Sequence, residues 1–330
     1  MCWLLFENSI VIKFFMNVND KIKALTEIIP VVTKRLEACD LCPRNCKVNR
    51  SVGERGYCGA GKDVAVYTVF VHKGEEPAIS GTAGSGAIFF SGCNLRCCYC
   101  QNYKFSQSGD GRFIGIDDVA GIMIKLQAKG VHNINLVTPT PYLPQILQAL
   151  LLAYQRGLKI PVVYNTSGYE HAQVIGLLAE VVDIYLPDMK YASSCFSARY
   201  SSAADYPLCN QRSIRVMYGQ KTTPSWRSDI LESGLVIRHL VLPGHIQETL
   251  QILSWIKAHA PKALLSLMFQ YQPYHEAARY PEINRKIVHE EYEEVSSFMS
   301  TLGLKGWVQE FSPQENLAGV YFAPSLEEFL

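Results

Sequence analysis

Nothing in this 330-residue chain stays apolar for the roughly eighteen residues that a membrane-spanning helix needs. Its apolar opening, MCWLLFENSIVIKFFMNVNDK, is interrupted by Glu7, Asn8 and Lys13. That segment also lacks the basic first region and the small-residue cleavage site of a secretion signal, and reads as a ragged extension with the functional start at Met16. Net charge is nearly absent as well. With 31 Lys and Arg against 30 Asp and Glu, neither a nucleic acid nor a membrane surface is an expected partner. Repeats, low-complexity tracts and long linkers are missing, so no solenoid or tethered array is expected.

What the chain has in excess is cysteine, eleven residues. Seven of them, Cys39, Cys42, Cys46, Cys58, Cys93, Cys97 and Cys100, crowd into two short segments instead of spreading at disulfide-framework intervals. An odd total with CxxC spacings reads as metal or cluster binding in a reducing compartment, and a cytoplasmic location follows.

Residues 20–38 read as a helix from the stripe Ile22, Leu25, Ile28, Ile29, Val32 and Leu36, with a break expected at Pro30. Residues 64–71 alternate like a strand. From Ala87 a rhythm sets in. Apolar runs at 87–91, 133–138, 160–165, 183–187, 235–242 and 264–271 read as strands. Helical patterns follow at about 117–129, 144–156, 170–180, a polar stretch up to Gly219, 247–260 and 284–302. Such alternation forces parallel pairing through right-handed crossovers. Six units are too few to close an eight-stranded barrel. The expected fold is therefore α/β, a partial parallel (β/α)6 barrel with an N-terminal cysteine-rich segment. Its divisions fall at 1–38 (extension and helix), 39–63 (cysteine-rich knuckle), 64–86 (connecting strand region), 87–310 (core barrel) and 311–330 (tail).

The stretch SGCNLRCCYCQN, residues 91–102, holds four cysteines in eight positions. Three of them, Cys93, Cys97 and Cys100, have the spacing CxxxCxxC; Cys98 is the extra one. A loop with that spacing can wrap three corners of a [4Fe–4S] cube and leave the fourth iron open to a ligand. A zinc knuckle, for which no fourth ligand lies nearby, and plain buried thiols are the alternatives.

Placed just after the first strand of a partial parallel barrel, the motif resembles the radical S-adenosylmethionine superfamily, over about residues 87–307. Within it the chain is similar to the pyruvate formate-lyase activating enzyme-like group. It most resembles a branch whose upstream segment reads CxxCPRxCxVNRxxGExGxC, here Cys39 to Cys58. The resemblance implies a [4Fe–4S] cluster on Cys93, Cys97 and Cys100, with S-adenosylmethionine chelating the open iron. It implies one-electron cleavage to a 5′-deoxyadenosyl radical that abstracts hydrogen. A reduced donor of the flavodoxin or ferredoxin type and a protein substrate, a glycyl residue on a partner enzyme, are implied too. Other substrates (a small molecule, RNA or a different protein) stay open, as does a non-catalytic metal-knuckle binding module on the same barrel.

By the same resemblance Tyr99 packs beside the adenine and Asn102 matches an Asn two places after the last cysteine. Asn165 and Thr166, in NTSG, match a segment near the cofactor, and Asp188 and Lys190 match a D-x-K at a strand end. Arg238 and Leu240 match a strand beside the ribose and carboxylate, and His275, in PYHE, a ribose contact. One departure is plain. Where the superfamily often has Gly-Gly-Glu-Pro to receive the methionyl amine, this sequence reads Val137-Thr-Pro-Thr-Pro141. Backbone carbonyls and the hydroxyls of Thr138 or Thr140 are left as acceptors.

The upstream segment, Cys39-x2-Cys42-x3-Cys46-x11-Cys58, offers four sulfurs that suit zinc, a second iron–sulfur cluster or, as reduced thiols, nothing. Arg44, Lys47, Arg50 and Arg55 make it basic, which reads as a solvated loop face. Weaker signals have plain readings. The glycines between Gly81 and Gly86 shape a turn, since they precede a strand and lack the Lys-Ser/Thr of a phosphate loop. Cys2, Cys195 and Cys209 read as small apolar residues, and the acidic run 290–294 as the wet face of the last helix.

Overall fold

Runs such as Ile134–Val137 and Val162–Thr166 are buried along their whole length, and a strand buried on both faces must be covered from both sides. The computed structural model describes residues 17–311 and 326–330. The expected extension with Cys2 and Met16, and residues 312–325 of the expected tail, lie outside the described residues. The strands are β1 (Val64–His72), β2 (Ser85–Phe90), β3 (Arg112–Ile114), β4 (Ile134–Val137), β5 (Val162–Thr166), β6 (Ile184–Pro187), β7 (Ser225–Arg227), β8 (Ile230–Leu240), β9 (Leu264–Met268) and β10 (Gly306–Val308). The helices are α1 (Val18–Lys34), α2 (Pro77–Ser80), α3 (Tyr103–Ser106), α4 (Ile116–Ala128), α5 (Leu143–Gln155), α6 (Ala172–Leu177), α7 (Ser194–Ser201), α8 (Tyr206–Gln220), α9 (Ile246–His259) and α10 (His289–Thr301).

The sheet runs β10-β9-β8-β6-β5-β4-β2-β1-β3, with β7 paired on β8. From β2 to β10 every neighbouring pair is parallel, and β1 and β3 extend the sheet antiparallel beyond β2. It does not close. The α/β reading with an open, mostly parallel barrel is therefore the fold observed.

The strand period of two sorts each strand into two faces. Val162, Tyr164, Tyr185, Leu235, Ile237, Leu265 and Leu267 join the core beneath the helices. Val163, Ile184, Leu186, Val236 and Leu264 instead pack with Ala78 and Ile79 of α2, so the short helix plugs the N-terminal end of the barrel. Two residues further along the same inner face, the side chains turn polar: Asn165 after Val163, Asp188 after Leu186, Arg238 after Val236. This change of chemistry along one face separates floor from site.

Five local expectations need correction. Pro30 does not break α1, which continues to Lys34. Pro30 and Thr26 are both exposed, so the carbonyl that loses its donor can be hydrated. The polar stretch before Gly219 is two helices, parted after Ser202, which is left-handed at φ 53°. β8 begins at Ile230 because the antiparallel partner β7 extends its ladder. The last helix begins at His289, not 284, since Glu291 binds the Val288 amide and the Arg285 guanidinium and fixes the entry there. Cys195 is exposed, against its reading as a small apolar residue.

Candidate metal and cofactor site

The cysteine loop leaves β2 at the C-terminal end of the barrel and is held by backbone bonds from distant segments. Cys98 N–H donates to the Tyr200 carbonyl at 2.8 Å, and Glu276 N–H donates to the Cys98 carbonyl at 2.7 Å. Gly92 opens the loop at φ +84°, and a Cβ there would stand 2.4 Å from the Cys58 carbonyl. Only glycine tolerates both the angle and the approach.

Cys93, Cys97 and Cys100 line a cavity of about 190 Å³ at the strand ends. Each sulfur has a partner: the Leu95 amide at 3.4 Å from Cys93, the Ser201 hydroxyl at 3.0 Å from Cys97, and the Ser106 hydroxyl at 3.3 Å from Cys100. Burial pushes the Cys93 thiol up to about 12 and the Cys97 thiol up to about 11, with Lys190 opposing both rises. Cys97 is buried and Cys93 and Cys100 are half-buried, and a metal centre is what lets neighbouring cysteines share one site as thiolates. Among the described residues no three His, Cys, Asp or Glu side chains are already drawn to ligating distance of one ion. The fit to a cluster rests on the shared cavity and on the donors to sulfur. Cys98 is buried but is not one of the cavity residues.

Tyr99, Asn102, Thr138, Asn165, Thr166, Asp188, Lys190, Arg238 and Leu240 line the same cavity. Thr138 adopts φ 59° directly after β4, a strained conformation for a β-branched residue. The Tyr99 hydroxyl meets that of Tyr191 at 2.7 Å, Tyr191 meets Ser201 at 2.6 Å, and Ser201 donates to Cys97. A line of hydroxyls thus joins the aromatic of the motif to the Cys97 sulfur. Gly168, at φ +74°, lets its loop settle on β6, where a Cβ would be 2.1 Å from the Asp188 carbonyl.

Charge runs along the inner wall as a chain. Lys190 Nζ is 2.6 Å from Asp188, and Asp188 is 3.7 Å from Arg238. Arg238 also meets Glu75 at 3.4 Å and Glu76 at 3.5 Å. Burial would lower the Lys190 pKa, but Asp188 and Cys97 outweigh it and keep the ammonium charged. Burial raises the Glu76 carboxyl against the pull of Arg238, and lowers His72, which also faces Arg238, to about 4.

Two expected residues stand elsewhere. Thr140 is buried beside the other cysteine segment and donates to Glu170. His275 stacks on Tyr103 with ring centroids 4.7 Å apart and is not among the cavity residues, whereas Gln272 and Tyr274 of the same loop are. Three carboxylates of the site carry no motif in the sequence. Glu170 is buried between the Thr140 and Thr166 hydroxyls, and burial raises it to about 7 against their donation. Glu75 and Glu76 belong to a Gly74-Glu-Glu-Pro77 segment one strand upstream of the cysteine loop. That acidic pair before a helix-starting proline was the available signal.

Residues 87–193 match the model of the radical SAM superfamily. An uncharacterized protein of Methanocaldococcus jannaschii, MJ0674, is 34% identical over 265 residues, covering 77% of this chain and 72% of its own length. A second from the same organism, MJ0808, is 25% identical over 225 residues, 62% of this chain and 65% of that one. Among solved structures, methylornithine synthase (PylB) aligns with 93% of this chain and 87% of its own, at 12% identity and a TM-score of 0.47. Streptococcus suis SuiB bound to precursor peptide SuiA aligns with 66% of this chain and 46% of its own, at 15% identity and a TM-score of 0.44.

Proposed function

This chain belongs to the radical SAM superfamily, in one family with MJ0674 of Methanocaldococcus jannaschii, and from that premise we propose that the strand-end cavity is where S-adenosylmethionine is bound and reductively cleaved. The observation that carries the reading is the convergence of Cys93, Cys97 and Cys100 with Thr138, Asn165, Asp188 and Lys190 on one cavity. The three thiols would hold a [4Fe–4S] cluster, which when bound supplies the electron that breaks the cofactor's C5′–S bond. Lys190, fixed by Asp188, keeps a positive charge that opposes the rise at Cys93 and Cys97 and so favours their thiolate forms. Thr138 and Asn165 offer neutral polar groups where the amine and carboxylate of a zwitterion can be oriented. Val137, Leu240 and Phe89 keep the neighbouring wall apolar and limit water.

For the substrate we propose a glycyl residue of a partner enzyme, with a flavodoxin- or ferredoxin-type protein as reductant. Support comes from the sequence segments NTSG, PDMK and PYHE, which resemble those of activating enzymes.

Anaerobic iron–sulfide reconstitution followed by a 5′-deoxyadenosine assay under dithionite tests the cleavage. Wild type should form 5′-deoxyadenosine and Cys93→Ala should not. A reconstituted wild type with full iron content that forms none would sink the enzyme reading and leave a binding module. Incubation with each glycyl-radical protein encoded by the same organism should give, for one of them, a glycyl signal in electron paramagnetic resonance. Cleavage without that signal would remove the activating role alone.

A further inference from the structure

The thiols of the first cysteine segment take no part in the site above. Cys39, Cys42, Cys46 and Cys58 line one small cavity of about 10 Å³, with Arg50 and Thr140 beside them. All four are free thiols. Each sulfur faces a donor. The Tyr57 amide lies 3.3 Å from Cys46, the Arg44 and Ala60 amides donate to Cys42 and Cys58, and Arg50 Nη1 lies 3.9 Å from Cys39. Donors facing each of four convergent sulfurs are the outer contacts that metal-bound cysteines use. Non-glycine residues are bent left-handed to build this turn: Asn45 at φ 45° and Lys47 at φ 59°.

Arg50 adds an independent argument. It is 1% exposed, with Nε and Nη2 bonded to the Gly61 carbonyl and Nη2 also to that of Pro141. Among the described residues it has no ion pair with a carboxylate. A buried guanidinium without a counter-charge is costly. Four thiolates around a divalent ion carry a net negative charge, and so does an all-thiolate iron–sulfur cluster. Either would supply the missing anion against the face that Arg50 presents.

We propose that Cys39, Cys42, Cys46 and Cys58 ligate a metal centre through four thiolates, with Arg50 as its buried counter-charge. The site touches the first one. The Cys58 carbonyl lies against Gly92, and Asn94, next to Cys93, lines the upstream cavity. Arg44 clamps the two segments by donating to the Asn94 carbonyl at 2.7 Å and the Ser202 carbonyl at 2.6 Å.

The test uses the full chain with Cys93, Cys97 and Cys100 each replaced by Ala, so that the strand-end site cannot contribute metal. Elemental and acid-labile sulfide analysis after anaerobic purification should find about one zinc per chain, or iron with sulfide. Adding Cys42→Ala and Cys58→Ala should lower bound metal by about tenfold or more. In chelator competition, Arg50→Leu should lose metal about 10- to 100-fold more readily while Arg50→Lys restores much of the affinity, as expected of a group acting on the ligands from outside. A triple variant that is folded by circular dichroism yet metal-free overturns the proposal. So does metal that survives loss of Cys42 and Cys58. Neither result depends on whether 5′-deoxyadenosine is formed.

Discussion

At the scale of single residues, neighbours in sequence part company in role. Cys97 and Cys98 are adjacent, yet Cys97 lines the cavity and accepts from Ser201, while Cys98 is bonded through its backbone to Tyr200 and Glu276. Cys98→Ser should therefore keep the reconstituted iron content of wild type, and Cys97→Ser should lose most of it. Iron loss in Cys98→Ser would mean that the thiol register is wrong. Arg238 invites a second substitution, because it is the cation that meets Glu75 and Glu76, while Asp188 also has Lys190. Arg238→Met leaves Glu75 and Glu76 without their cation and should cost about 3–5 kcal/mol in urea unfolding at neutral pH. Stranded carboxylates have raised folded-state pKa values, so their penalty appears as pH rises above the usual carboxylate range. The variant's deficit should accordingly shrink at acid pH. A deficit that is flat with pH would mean that packing, not charge, is what Arg238 contributes.

Among the elements, α10 shows how a boundary is fixed by one side chain. Burial alone would raise the Glu291 carboxyl. The Arg285 guanidinium and the amides of Val288 and Gly244 outweigh that and hold it at about 2, down from 4.5. A depressed pKa gives stability that is present above 4.5 and is lost as pH falls toward 2. Because the group is only partly buried, the contribution is about 1 kcal/mol after screening. Glu291→Gln should thus lower the melting temperature at neutral pH and match wild type near pH 2. A difference that persists undiminished at acid pH would rule out the charged cap. α1 is tied to the barrel by a different device: Lys21 reaches Asp183 at 2.6 Å and also donates to Tyr154 and Val181. Lys21→Met should cost about 3 kcal/mol by leaving Asp183 without its cation. An unchanged urea midpoint would show that apolar packing alone seats the helix.

Taken as a whole, the molecule was legible where a local pattern carries the meaning. The apolar runs at 133–138 and 160–165 have no wet face, and the spacing of Cys93, Cys97 and Cys100 defines a loop whatever surrounds it. Illegible features depend on segments that meet only in the fold. Thr140 sits three residues past β4, but its hydroxyl is spent on Glu170. His275 lies on the expected loop, but Tyr103 holds its ring. Glu75 completes the inner wall from a strand upstream, and its link to Arg238 spans 163 positions. The clamp made by Arg44 has the same character, and it bears on how the chain is made. Arg44 and Ser202 are 158 positions apart. A ribosome adding about 5–20 residues per second delivers the first cysteine segment roughly 8–32 s before the partner that fastens it. During that interval the thiols are open to whatever ions surround the nascent chain. A metal taken up by the proposed upstream site would thus meet its four thiols before the clamp that buries them has formed.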